Sequence, residues 1–136
     1  MPKILDDSRD ELKRQLGERI RYMQEHEPET LAKYLSQLSD EEAHAIMYDD
    51  EIMLRDNQWI RLDSPADTIL LCAGRGFGKT HAAAATVKRA IERHGLKHIL
   101  YIAPTARTLN KSIAPAIINR YPDGHPNKPQ LKQGYI

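Results

Sequence analysis

The stretch Thr68-Ile69-Leu70-Leu71-Cys72-Ala73-Gly74-Arg75-Gly76-Phe77-Gly78-Lys79-Thr80 decides how this chain is read. Its first five residues are a short apolar run, suited to a buried strand. Its last eight form a glycine-punctuated loop ending in Gly-Lys-Thr. The alanine-rich residues that follow, His81 to Arg93, predict a helix. Strand, glycine loop and helix in that order give a phosphate-binding loop its working context. Gly74, Gly76 and Gly78 allow positive φ and let backbone N–H groups face a phosphate. The start of the following helix adds unpaired N–H groups and partial positive charge. Lys79 brings a mobile ammonium for the β- and γ-phosphates, and Thr80 a hydroxyl for a Mg²⁺ shell. Ala73 stands where the usual first glycine would be, and its small side chain still permits close backbone approach.

Outward from the loop, the spacing predicts a second apolar strand over 98–103, His-Ile-Leu-Tyr-Ile-Ala, ended by Pro104 and Thr105. The helix between the strands would place Ala83, Val87, Ala90 and Ile91 on one face and close at Gly95. A further helix should begin near Arg107 and break or kink at Pro115. Strand, helix and strand with short connections imply a parallel, right-handed unit. The expected fold class is therefore α/β: an incomplete parallel sheet of the P-loop NTPase type, preceded by a helical segment.

The helical segment is read from periodicity. Leu12, Leu16, Ile20 and Met23 make one stripe over 8–26, with Ser8 and Glu11 as a capping box. Pro28 separates this from a helix over about 29–38, with Leu31, Leu35 and Leu38 aligned. Ser39 and Glu42 open a third helix reaching Tyr48, with Ala43, Ile46 and Met47 as its buried side. Asp49-Asp50-Glu51 should end it. The resulting division is residues 1–51, helical; 52–121, a partial ATPase domain; and 122–136, a Pro-rich extended tail.

The chain has 136 residues, 40% hydrophobic and 29% charged, which is enough for a packed core. No apolar run approaches the ~20 residues of a membrane span. The first residues lack the pattern of a signal peptide. The single cysteine, Cys72, is read as a small buried hydrophobe of the first strand. These features fit a cytoplasmic protein. Charge is unevenly spread: 9 Lys+Arg against 16 Asp+Glu through Asp63, then 11 against 3 from Ser64 onward. The second half should attract phosphate groups.

Several stretches, in order, resemble the large terminase subunits of tailed bacteriophages, the motors that package DNA into procapsids. Leu38-Ser39-Asp40-Glu41-Glu42 and Tyr48-Asp49 look like that family's entry helix. Leu54-Arg55-Asp56-Asn57-Gln58 resembles its adenine-recognition motif. Residues 71–80 resemble its phosphate loop, and Ile102-Ala103-Pro104-Thr105 the segment after its second strand. The resemblance covers about residues 38–118. It implies ATP and Mg²⁺ as cofactors, with Gln58 on the adenine edge. Residues 73–80 (Ala73, Gly74, Arg75, Gly76, Phe77, Gly78, Lys79 and Thr80) would lie along the phosphates. Lys79 and Arg75 would be the catalytic cations, Arg75 as a cis-acting arginine finger, and Thr80 the metal ligand. It also implies double-stranded DNA, a portal protein and a small terminase subunit as partners, no membrane, and a possible homo-oligomer. The location would be the host cytoplasm, transiently at the procapsid portal.

ATP hydrolysis needs a further carboxylate at the end of an apolar strand. After Thr80 only Glu92 and Asp123 remain, one in a predicted helix and one in a Pro-Asp-Gly turn. The expectation is an N-terminal part of such a motor that binds nucleotide and lacks its catalytic acid. A helicase-like P-loop ATPase fragment is the alternative enzyme reading. A non-catalytic docking module, its glycine loop only a turn, is the alternative outside enzymes.

Overall fold

The computed structural model of the chain describes residues 9–130. They fall into two compact units, 9–59 and 60–130.

The first unit is built on α1 (Glu11–His26). Asp10 caps it, its carboxylate accepting from the N–H groups of Leu12 at 2.9 Å and Lys13 at 3.3 Å. The cap expected at Ser8 lies outside the described residues. α2 (Pro28–Ser36) follows at once, and Pro28 is its first residue, where a missing N–H costs nothing. α3 (Asp40–Met47) opens with the expected capping box: Glu42 N–H donates to Ser39 Oγ at 3.2 Å, and Ser39 N–H to Glu42 Oε2 at 2.9 Å. α3 stops at Met47, ahead of Asp49 as expected, but the chain does not stay irregular. Asp49 caps a new short helix, α4 (Asp50–Met53), by accepting from Glu51 N–H at 2.9 Å.

α1 packs against α2 and α4. The contact with α4 is close because Gly17 is buried at the crossing and has no side chain. Of the α1 stripe, Met23 is buried, Leu16 and Ile20 are half-buried, and Leu12 is 77% exposed. Of the buried side expected for α3, Ile46 is half-buried while Ala43 and Met47 are exposed. Periodicity marked a face on each helix, but α4, which covers part of α1, was not legible as a helix.

The second unit is built on α5 (Lys79–Glu92). Gly95 closes it at φ 63°, and Leu96 N–H donates to Ala90 C=O at 3.1 Å. α5 packs against α7 (Ala114–Ile118), the end of a continuous helical run that starts with α6 (Ala106–Thr108). Between α6 and α7 the backbone makes a π turn over Leu109–Ile113. Pro115 is the second residue after it. A proline has no N–H and its ring crowds the carbonyl four residues back, so a wider turn relieves the clash without ending the helix. Ala82, Ala84, Ala85 and Ala90 are buried on α5, as are Lys88 and Arg89. Tyr121 is fully buried, with Lys88 Nζ 5.3 Å from its ring centre. The tail expected to be extended instead turns twice over 122–128, through His125 N–H to Pro122 C=O and Lys128 N–H to His125 C=O. Its remainder, 131–136, lies outside the described residues.

The expected fold class is corrected here. Among the described residues there is no strand, and hence no parallel sheet; the elements are helical. Residues 68–72 and 98–103 are irregular. A parallel ladder holds when both of its faces are covered, and two strands alone are marginal. Neither condition is met: Leu70 is 82% exposed, Leu100 84% and Ile102 80%. Cys72, expected in a buried strand, is exposed as well. No helix among the described residues is long and apolar enough to cross a membrane.

Candidate functional site

The glycine loop is shaped by two residues in left-handed backbone. Gly76 has φ 84° and Gly78 φ 90°, conformations that strain any residue with a β-carbon. Phe77 N–H donates to Gly74 C=O at 3.4 Å, folding 74–77 into a turn. Gly78 is the N-cap of α5, and the first helical bond runs from Ala82 N–H to Gly78 C=O at 2.9 Å. No side chain caps this end. The loop therefore leads straight into a helix terminus with its partial positive charge.

Lys79 turns back over the loop. Its ammonium donates to Ala73 C=O at 2.6 Å and to Gly74 C=O at 2.8 Å. Two of its three protons are thereby fixed on the loop backbone, which holds the charge at the loop mouth. A β-carbon built on Gly74 or Gly76 would meet no atom within 4 Å. These glycines are not filling a packed interior; the space beside them is open. The Arg75 side chain is exposed and has no ion-pair partner among the described residues. Two acids that could have neutralised it pair elsewhere: Asp56 with Arg9 at 2.8 Å, Asp63 with Arg61 at 2.5 Å. Thr80 is exposed on the first turn of α5.

The donors fit a triphosphate tail: an open loop, an ammonium at its mouth, an unpaired guanidinium and a helix terminus. The fit to Mg²⁺ is narrower. No group of three or more His, Cys, Asp or Glu that could hold a metal ion exists among the described residues. Thr80 would contribute one hydroxyl, with phosphate oxygens and water completing the shell. Of the carboxylates after Thr80, Glu92 lies 3.8 Å from His125 Nε2 and Asp123 lies 2.5 Å from Lys128 Nζ.

Gln58 belongs to the first unit, and the loop to the second. Gln58 ends a 3₁₀ turn (Asp56–Gln58) and is buried. Its amide oxygen accepts from Arg55 N–H at 3.2 Å and Arg55 Nε at 3.3 Å. The turn is held from just ahead of α1 by a residue that sequence reading missed. Arg9 donates to Glu51 C=O at 2.6 Å, to Leu54 C=O, and to Asp56 Oδ1 at 2.8 Å, while its guanidinium lies 5.3 Å from the Trp59 ring centre. Burial pushes the Arg9 pKa below its usual value, and the Asp56 carboxylate opposes that shift. No periodic or motif signal marks Arg9, because its partners lie some forty residues away in sequence.

No family model, curated protein or solved structure matches the chain.

Proposed function

We propose that this chain binds a nucleoside triphosphate, ATP with Mg²⁺, on the loop 73–80, and that it belongs functionally with DNA-packaging ATPases. The observation that carries the reading is the position of Lys79. Its ammonium is pinned to the Ala73 and Gly74 carbonyls at the mouth of an open glycine loop, at the start of a 14-residue helix. In this reading the amides of the loop and of the first helical turn bind phosphate oxygens. Lys79 supplies point charge to the β- and γ-phosphates, and its carbonyl bonds keep it from swinging away. Arg75 neutralises charge at the far end of the tail. Thr80 gives its hydroxyl to the metal shell. Duplex DNA, a portal and a small packaging subunit are the partners of this reading.

The proposed activity is binding. Asp123 is paired with Lys128 and Glu92 lies at the end of α5, thirteen residues from Lys79, so neither is assigned to activating water. Titration with a fluorescent ATP analogue tests the reading. Saturable, Mg²⁺-dependent binding by the wild type, weakened about tenfold or more in Lys79→Ala, is the expected result. Equal signals from both proteins would remove the assignment.

A further inference from the structure

Gln58 closes its own turn. Its backbone N–H donates to Arg55 C=O at 2.9 Å, and its side-chain oxygen accepts back from Arg55 N–H at 3.2 Å and from Arg55 Nε at 3.3 Å. Both of those Arg55 groups can only donate, so the oxygen of the amide, and not its NH2 group, must face them. An amide oxygen has two lone pairs, and here each has a donor. The side chain is buried, and the residues flanking Arg55 are tied down as well, since Arg9 donates to Leu54 C=O and to Asp56 Oδ1. Turning the oxygen toward a ligand would break both bonds, one of them to a charged guanidinium.

A base is read by matching its edge. Adenine shows a donor, N6, beside an acceptor, N7, so an amide reads it by accepting and donating at once. Guanine shows two acceptors, N7 and O6. With its oxygen committed, Gln58 brings no acceptor to a base, whatever its NH2 group bonds, and has no means of preferring adenine. The other groups of the triphosphate reading are the amides of 73–80, Lys79, Arg75 and Thr80. All of them are assigned to the phosphates and the metal, which are the same in every nucleotide. We infer that the loop takes nucleoside triphosphates as a class, selecting the phosphate tail and not the base, an inference that rests on the triphosphate reading of 73–80. Gln58 is then a residue of the turn and not of the ligand.

Competition against a ribose-labelled fluorescent ATP analogue, on the full chain with Mg²⁺, tests this. ATP, GTP and CTP should displace the probe with constants within about threefold of one another, whereas a bidentate base contact would set one of them apart by about fivefold or more. Gln58→Glu keeps an oxygen for both Arg55 donors and removes the NH2 group, so the ratio of ATP to GTP affinity should not change. Circular dichroism reports whether that variant remains folded, and the wild-type series decides without it. A spread of more than about fivefold among the three nucleotides, or a ratio that shifts in a folded Gln58→Glu, would overturn base indifference and leave the loop assignment standing. A probe that fails to bind, or binds equally to Lys79→Ala, would remove the loop assignment and this inference with it.

Discussion

Gly17 of α1 lies directly under the Ile52 carbonyl of α4. A β-carbon at position 17 would overlap that carbonyl oxygen and meet the carbonyl carbon at 3.0 Å. Glycine inside a helix ordinarily costs about 1 kcal/mol relative to alanine. Here the sign reverses, because the added methyl meets backbone that cannot rotate away. Gly17→Ala should destabilise the first unit by about 1–2 kcal/mol net, overpacking outweighing the propensity gain. A urea midpoint equal to or above the wild type's would contradict the close crossing.

Arg9 ties the start of α1 to the turn that carries Gln58, through Glu51, Leu54 and Asp56. Arg9→Met keeps most of the stem packing and removes the fork. It should cost about 1.5–3 kcal/mol, the range for hydrogen bonds to a charged group. Arg9→Lys should recover little, since an ammonium cannot span the same acceptors. Chemical denaturation of both variants reads this directly.

Glu11 gives a pH prediction. Hydrogen bonds from Arg14, and then Gln15, lower its carboxyl pKa from 4.5 to about 2. The folded value lies below the ordinary one, so the contribution is present above the ordinary value and is lost as pH falls through the folded value. The window therefore runs from about 4.5 down to about 2. The group is exposed, so the effect is small. Glu11→Gln should flatten the acid limb of the denaturation midpoint in that window and leave neutral pH nearly unchanged. An identical acid limb in the variant would show that the Arg14 pairing does not persist in solution.

The local elements were largely legible; the way they assemble was not. Ser39 and Glu42 announce α3, and Gly78-Lys79 announces α5, because capping and glycine geometry are set within a few residues. The strands were misread because Ile69-Leu70-Leu71 and Ile99-Leu100 look the same in a buried ladder as in an exposed segment. Only the presence of covering layers separates the two, and no short window contains that information. Arg9 stayed hidden for the same reason: its partners are distant in sequence. In the candidate site, the residue types of 73–80 carried the chemistry, but the Lys79 hold on Ala73 and Gly74 emerged only from the coordinates.

The glycines separate folding from binding. Gly78 has φ 90°, so Gly78→Ala should cost about 1–2 kcal/mol of stability through backbone strain. Gly74 does not lie at positive φ, and its missing β-carbon faces open space. Gly74→Val should leave stability within about 0.5 kcal/mol of wild type while weakening triphosphate binding, because the side chain enters the phosphate space. Loss of stability without loss of binding in Gly74→Val would place the ligand elsewhere.

The most direct test of the loop is amide nuclear magnetic resonance during titration with ATP and Mg²⁺. The account predicts saturable shifts concentrated at Gly74, Gly76, Gly78, Lys79 and Thr80, absent with AMP and much reduced in Lys79→Ala. Shifts scattered over the chain, or none at these amides when ATP is in excess, would contradict it.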